Sequence, residues 1–364
     1  MSISSIHVGC GDFSLQRLDI LITGNEFKPV ACVDIGKEKA KSKLLSLKSA
    51  KNLASVVYTS ITEAKEKHKD AKVCFIFVSS LEHTKLIIES LKLGMHTFCV
   101  KAVACNQKEF KSLMKEHSSN PDLMLVQGLN NQWNEAALKM REWMQSEKGI
   151  GKMLGGECVC WGRQKNKKTD PPQADITTEG MFFHSMACHQ LSQLVAAKGL
   201  PDYVTAYAQN RVDEELDYRG VFGTSGGQCI FEYPEGIPFS YVGTRAAHGN
   251  LFGFASRWSG QWIIHGENGD IRRQGGRLTL YKNGGSVEDY YLKDLGANLI
   301  EDEKVQFKAF YDALHSGKNR HYLQQSSLDT WILMEACNVS AKTKEKISIK
   351  KLKDHCFNKL KTIY

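Results

Sequence analysis

The stretch that most constrains this chain is Ser5-Ile6-His7-Val8-Gly9-Cys10-Gly11-Asp12-Phe13-Ser14, close to its start. A short apolar run passes into a glycine turn and then into a helical pattern, with Leu15, Leu18, Leu21 and Ile22 on one face and Gly24 as a stop. Gly9 suits the tight turn. Gly11 has no Cβ, so a pyrophosphate could approach the backbone, and the N–H groups that open the helix after Phe13 would face that anion. Ser14 stands where the pattern G-x-G-x-x-G/A has its third small residue, which is a departure. Taken alone, the pattern fits a plain β-turn equally well. Asp34 adds context: it ends the next apolar run, Pro29–Val33, at the distance where an acidic side chain meets an adenosine ribose.

The rest of the first third repeats the alternation of strand and helix. A Lys-rich segment to Lys51 predicts an exposed helix, and Val56-Val57-Tyr58 a short strand. Ser60-Ile61-Thr62-Glu63 is a capping box for the helix that follows. Val73–Val78 is a continuous apolar run, as expected of a central parallel strand. Thr84–Leu93 predicts an amphipathic helix, His96–Val100 a strand, and Leu123–Gln127 the strand that closes this half. Such alternation means a doubly wound parallel sheet. Beyond about residue 128 the texture changes. A helix over Glu135–Gln145 is followed by period-2 segments, among them Gln228–Tyr233, Trp262–His265 and Leu278–Tyr281, with Gly- and Pro-rich turns between them. This predicts an α+β domain on a mostly antiparallel open sheet, closed by helices over Val305–Leu314 and Leu328–Lys342. The expected domains are 1–128, 129–349 and a basic tail, 350–364.

A chain of 364 residues exceeds one ordinary core, in keeping with two domains. No apolar run approaches the ~20 residues that span a membrane. The start lacks the basic-then-apolar pattern of a secretory signal, so a cytoplasmic protein without membrane association is expected. The eleven cysteines include no C-x-x-C pair, and Cys158 and Cys160 suit no zinc site. Reduced thiols and no metal are expected. The net charge of +8 gathers partly at Lys350-Lys351-Leu352-Lys353 and Lys359-Leu360-Lys361, where a solvated helix explains it without nucleic acid.

In their order, these motifs resemble the glucose-fructose oxidoreductase and inositol dehydrogenase family (Gfo/Idh/MocA), over nearly the whole chain. Phe77-Val78-Ser79-Ser80-Leu81-Glu82-His83 resembles the family's T-P-x-x-x-H segment over the nicotinamide ribose. Gly94–Ala104 is similar to G-K-H-V-x-x-E-K-P-x-A, with Lys101 as the lysine. Gly128-Leu129-Asn130-Asn131-Gln132-Trp133 resembles the G-x-x-x-R-F opening of the substrate domain, Gly180–Leu194 the helix carrying D-x-G-x-H-x-x-D, and His265–Ile271 the hairpin I-x-G-x-x-G-x-I. On that register His189 matches the family histidine. The departures bear on function: Val100 and Ala102 flank Lys101 where the family has glutamate and proline. Ser185, Ala187 and Ser192 replace aspartate, glycine and aspartate, and His184 precedes Ser185.

The resemblance implies an NAD(P)-dependent oxidoreductase acting on a sugar, cyclitol or related hydroxyl or carbonyl compound. Hydride transfer from a carbinol needs a group that takes the hydroxyl proton and a cation or donor that steadies the alkoxide. Lys101, after a parallel strand, and His189, because an unperturbed imidazole is the side chain that titrates near neutral pH, are the candidates. The bland readings are a surface lysine and a helix histidine satisfied in the protein. His184 is the third catalytic candidate, although five residues place it about 140° from His189 on an α-helix. One of the two is expected to be structural unless the helix starts or distorts between them. Expected cofactor contacts are Gly9, Gly11, Asp12, Phe13, Ser14, Asp34, Ser79, Ser80, His83, Lys101 and Asn130. Gln132, Trp133, Arg163, Ser185 and Tyr241 are expected at the substrate. Asp34 favours NAD, because a carboxylate repels a 2′-phosphate; Lys37 and Lys39 keep NADP as the alternative. By the same resemblance the open sheet face pairs subunits into a homodimer or homotetramer. Rival readings are an imine or pigment reductase, redox-neutral sugar chemistry with a cycling NAD, and a non-catalytic dinucleotide-binding sensor or scaffold.

Overall fold

The computed structural model describes residues 2–162, 182–210, 224–244, 260–293 and 299–357. The chain divides into two compact units. The first runs to Gly128 and takes in Glu303–Leu328 with Cys356 and Phe357; the second holds Leu129–Asp302 and Asp329–His355.

In the first unit, strands β1 (Ile3–Val8), β2 (Phe27–Val33), β3 (Val57–Tyr58), β4 (Val73–Ile76), β5 (His96–Val100) and β6 (Leu125–Gly128) form one sheet in the order 3-2-1-4-5-6. Every pairing in it is parallel. This is the doubly wound dinucleotide-binding arrangement, whose strand order reverses beside β1. Helices α1 (Asp12–Thr23), α2 (Lys37–Ser46), α3 (Ile61–Lys67), α4 (Ser80–Lys92) and α5 (Gln107–Ser118) connect the strands. The lysine-rich segment splits, because α2 stops at Ser46 and a 3₁₀ stretch, Lys48–Ser55, follows. Ser60 Oγ accepts from Glu63 N at 3.1 Å, while the Glu63 carboxylate reaches Thr59 N rather than closing the box on Ser60.

Residues 303–328 join this unit rather than the second domain expected for 129–349. The reason is aromatic: helix α8 (Leu299–Ser316) sets Phe307 and Phe310 against Phe75 and Phe98, and Phe310 also stacks on Phe27. Burying each such ring is worth ~1.5–3 kcal/mol, enough to fix which sheet the helix serves. Phe357 packs edge-on to Phe110 in the same way.

The second unit opens with a 3₁₀ turn, Asn130–Trp133, and α6 (Glu135–Gln145), whose first turn is capped by Asn134 Oδ1 accepting from Ala137 N at 2.7 Å. Its sheet is built from β7 (Met153–Trp161), β8 (Tyr203–Asn210), β9 (Thr224–Tyr233), β10 (Ile237–Thr244), β11 (Gln261–Gly266), β12 (Gly269–Gln274), β13 (Arg277–Lys282), β14 (Val287–Tyr291) and β15 (Ile347–Ser348), in the order 14-13-12-11-7-10-9-8-15. Only the β7–β10 pair runs parallel. Alternation sorts the faces. Cys158, Cys160, Cys229, Phe231, Phe239, Tyr241, Trp262 and Ile264 are buried on one side, whereas Tyr207, Ile230 and Ile263 are exposed on the other. Helix α7 (Cys188–Lys198) is preceded by a π-turn, Phe183–Ala187. Helix α9 (Arg320–Thr343) contributes its part beyond Asp329, and α10 (Ile349–Phe357) buries Ile349, Leu352 and Cys356 while leaving Lys350 and Lys351 exposed. The described part of the basic segment, to Phe357, is thus an amphipathic helix anchored on its apolar side, with Lys353 bonded to Asp329 at 2.8 Å, while Lys359, Leu360 and Lys361 lie outside the described residues. All eleven cysteines are buried thiols. No helix among the described residues is long and apolar enough to cross a membrane, and no group of three or more His, Cys, Asp or Glu side chains among them is placed to hold a metal ion.

Candidate functional site

In the first unit the candidate site grows from the turn after β1. Gly9 has φ +99°, and a Cβ there would collide with the Phe77 carbonyl, so only glycine fits. Gly11 precedes α1 as its N-cap, and nothing lies within 4 Å of where its Cβ would project. That open space over a helix N-terminus is what a pyrophosphate requires. Asp34, half-buried just after β2, accepts from Cys10 N and from Gly36 N, each at 2.8 Å. Its carboxylate is therefore fixed against the turn, and each oxygen retains a lone pair for a hydroxyl. Ile35, 96% exposed, offers an apolar surface next to it. Sequence reading passed over Ile35; an apolar residue directly after the acidic one was its only signal.

Ser14 departs from its expected role. It is buried, donates from Oγ to the Gly9 carbonyl at 2.6 Å and accepts from His7 Nε2 at 2.7 Å. It ties the turn from behind rather than facing a ligand, because its hydroxyl finds its partners inward. His7 is fully buried and stacks on Phe77; burial lowers its pKa to about 3, so the ring is neutral. Asp12 is exposed in the first turn of α1, and its charge is met by Lys43 at 2.7 Å, which holds the carboxyl below its ordinary pKa. Phe13 is half exposed, with the Arg17 guanidinium 3.6 Å from its ring centre.

Lys101 directly follows β5, and its peptide bond to Ala102 is cis. The segment after it is bonded from several sides. His83 Nδ1 lies 2.7 Å from the Ala102 carbonyl, Thr84 Oγ1 donates to the Val103 carbonyl at 3.1 Å, and Val103 N donates to Gln127 Oε1 at 2.9 Å. His83 Nε2 also lies 3.1 Å from the Val78 carbonyl. His83 is buried and acts as a bracket between these two segments. Gln127, Thr84 and Glu109, whose carboxylate accepts from Cys105 N and shares the single Thr84 hydroxyl hydrogen with the Val103 carbonyl, are supports that sequence reading missed. No local pattern announces them; strand neighbours far apart in sequence bring them together. Ser79 is exposed at the start of α4, while Ser80 is buried and its hydroxyl has no partner among the described residues. A cavity of about 380 Å³ in this unit, lined in part by Ile20, Gly24, Phe27 and Phe307, lies at the other end of α1 and shares no residue with the turn.

In the second unit, His189 is half-buried in the first turn of α7, and its Nδ1 lies 3.1 Å from Asn131 Oδ1. His184 takes a different environment. It is buried against Trp331, and its Nε2 is 3.5 Å from the Glu335 carboxylate. The π-turn that contains His184 and leads into α7 is the distortion that an α-helical count could not supply, since its bonds run from i to i+5. Ser185 is buried inside that turn. Gln132 is 2% exposed, and neither atom of its amide has a partner among the described residues; the Trp133 indole N–H is likewise unpartnered. Asn130 is half-buried at the start of the same 3₁₀ turn. Tyr241 is corrected from substrate contact to core. Its ring is fully buried on β10, its hydroxyl donates to Gln190 Oε1 at 3.0 Å, and burial raises its pKa. Arg163 lies outside the described residues.

Comparison with known proteins adds to this geometry. Residues 5–127 match a family model described as "Oxidoreductase family, NAD-binding Rossmann fold". No curated protein sequence matches. Among solved structures, an oxidoreductase from Agrobacterium radiobacter in complex with NAD+, L-tartaric acid and magnesium superposes with TM-score 0.78 at 16% identity, covering 97% of this chain and 100% of that one. Levoglucosan dehydrogenase in complex with NADH and levoglucosan gives 0.75 at 15% identity, covering 96% and 100%. A myo-inositol dehydrogenase from Corynebacterium glutamicum gives 0.73 at 14% identity, covering 96% and 99%. At these identities the superpositions speak for the fold.

Proposed function

We propose that the chain is an oxidoreductase of the Gfo/Idh/MocA type, whose NAD-binding model residues 5–127 match, and that it transfers a hydride between NAD and a hydroxyl or carbonyl of a sugar, cyclitol or related compound. The observation that carries this reading is the turn itself. Gly11 leaves its space open above the start of α1, and Asp34 stands ready-bonded beside it. Those residues fit a dinucleotide, with Gly9, Gly11 and the opening of α1 at the pyrophosphate and Asp34 at the ribose hydroxyls. A fixed carboxylate is a poor neighbour for a 2′-phosphate, which supports NAD over NADP.

NAD, when bound, supplies the hydride acceptor. Lys101 is assigned to the substrate oxygen, where its ammonium offsets charge as the proton leaves. His189 is assigned to that proton, as the general base of the step. The three bonds behind Lys101 support a placed rather than a wandering lysine, since a misplaced group loses rate steeply. Sugars and cyclitols are named for the levoglucosan and myo-inositol dehydrogenases of the same fold. The exposed apolar row of Tyr207, Ile230 and Ile263 on the open sheet face supports pairing of two copies through that face, and the buried thiols support a reducing, cytoplasmic setting. Serines at 185 and 192, where the family has aspartates, favour a second reading on the same fold: reduction of an imine or unsaturated pigment, which needs less of a dedicated base.

The test is a titration with NADH and NADPH by tryptophan quenching, followed by a screen of polyols and imines. NADH binding with polyol turnover that Lys101→Ala removes supports the reading. NADH binding with imine turnover alone supports the second. Binding with no turnover on either panel leaves a dinucleotide sensor, and no binding at all overturns the assignment of the turn.

A further inference from the structure

We propose that Asn131 is a positioning residue that fixes the His189 imidazole with its proton on Nδ1, leaving Nε2 as the basic atom of the ring. The mechanistic meaning of this inference rests on the reading of His189 as proton acceptor; the tautomer itself does not.

The contact is between His189 Nδ1 and Asn131 Oδ1, at 3.1 Å. An amide oxygen only accepts, so the ring nitrogen facing it must carry hydrogen. A neutral imidazole has one N–H, and Nε2 is then bare. Free histidine prefers the opposite arrangement, so the protein has to impose this one.

Both partners are held. Asn131 is 2% exposed in the 3₁₀ turn Asn130–Trp133, and the next residue, Asn134, caps α6. A side chain so enclosed has little freedom to swing away. On the other side, the first turn of α7 is bonded toward the sheet. Gln193 Nε2 donates to the His189 carbonyl at 3.0 Å, and Gln193 Oε1 accepts from Arg273 Nη1 at 2.8 Å. Gln190 accepts from Tyr241. Arg273 is 1% exposed on β12 and otherwise lacks partners among the described residues for Nε and Nη2, so its bond to Gln193 is one it cannot readily exchange for water. With the backbone of His189 fixed in this way, the bond from Asn131 Oδ1 adds a hold on the ring itself, at Nδ1.

The choice of an amide has a chemical consequence. A carboxylate at Nδ1 would orient the ring and also stabilise the imidazolium by its charge. The amide orients without that charge, and Ser192, one turn along the helix, supplies no carboxylate. The other histidine shows the contrast: His184 has Glu335 as its neighbour but is sunk beside Trp331.

The test uses the full-length protein labelled with ¹⁵N-histidine, at a mildly alkaline pH that favours neutral imidazoles. Long-range proton–nitrogen correlation distinguishes a protonated from a bare ring nitrogen, and loss of signals in His189→Gln assigns them. The wild type should show a protonated Nδ1 and a bare Nε2. Asn131→Asp, whose side chain when ionised also only accepts, should keep that pattern; Asn131→Leu should move the proton to Nε2 and lower kcat at least tenfold, with NADH affinity within about twofold. A protonated Nε2 in the wild type, or a pattern that Asn131→Leu leaves unchanged, overturns the proposal. Should Asn131→Leu fail to fold, the wild-type and Asn131→Asp spectra decide alone. Full turnover in His189→Gln would instead sink the reading of His189 as base, while the tautomer would stand or fall on the spectra.

Discussion

The glycine turn of the first unit and the 3₁₀ turn of the second both carry polar groups assigned to ligands, yet they hold them differently. Around the glycine turn Asp34 already accepts two backbone N–H bonds, and Ser14 is bonded on both sides. In the 3₁₀ turn, the whole Gln132 amide and the Trp133 indole N–H are buried without a partner among the described residues. Leaving a buried polar group unsatisfied costs about 1–3 kcal/mol. The first arrangement is set before a ligand arrives, and affinity there loses little to reorganisation. The second retains polar groups at a cost to stability, which is the pattern expected where function rather than folding chose the residue.

The sharpest way to break this contrast is Lys101→Ala. The lysine lies on the bonded side, so removing it should cost turnover, by roughly 10²–10⁴-fold, with NADH affinity and melting temperature nearly unchanged. Steady-state rates beside a binding titration check this, and an unaffected rate would detach Lys101 from the chemistry. Next in size is Asp34→Ala. Loss of a charged hydrogen-bond acceptor should weaken NADH by about 10–100-fold and erase the preference over NADPH. Because Cys10 and Gly36 lose their acceptor as well, the melting temperature should fall in the same variant. If NADH weakens while stability holds, the carboxylate is not the brace of the turn.

Gln132→Met tests the other side of the comparison. An apolar side chain of similar volume removes two unsatisfied atoms, so thermal stability should hold or rise by a few degrees while the KM for substrate increases. A clear drop in melting temperature would show that the amide has a structural partner after all. The smallest effect expected is one of pH. Burial lowers the pKa of His7 to about 3 and of His96 to about 4, and also lowers that of His117. The unfolded chain takes up these protons near pH ~6.5 while the folded first unit refuses them. Their neutral forms therefore stabilise the fold above that pH, and the contribution shrinks as pH falls toward ~4 and then ~3. Urea midpoints between pH ~7.5 and ~4.5 should decline, and His7→Gln should flatten the decline; an unchanged slope would remove His7 from the account.

Much of the first unit is legible because its signals are local. The apolar run at β4, the capping residue Ser60 and the strand His96–Val100 each depend on neighbours a few residues away. The outward and inward faces of the second sheet are legible for the same reason, since Cys158 and Cys160 must share a side whatever they pack against. Where the reading missed, distant residues decide. Tyr241 looks like a polar aromatic available to a substrate, but Gln190, on a different element, claims its hydroxyl. Ser14 reads as a cofactor contact from its place in the glycine pattern, but His7, on the preceding strand, and the Gly9 carbonyl hold its hydroxyl inward. Nothing near Glu303 in sequence says that Arg17 will pair with it, yet Arg17 Nε lies 3.0 Å from its carboxylate within the first unit.

The sequence by itself determined the alternation of strand and helix, the glycine turn with Asp34 beyond it, and the change to period-2 strands after residue 128, because backbone geometry and burial periodicity act over short spans. Only the tertiary structure decided that α8 belongs with the first sheet, that His184 sits within a π-turn ahead of the helix that carries His189, and that the Asn131 amide meets Nδ1 of the His189 ring. Those outcomes depend on which side chains meet across many tens of residues. There, packing and hydrogen-bond satisfaction, not local propensity, set the lowest free energy.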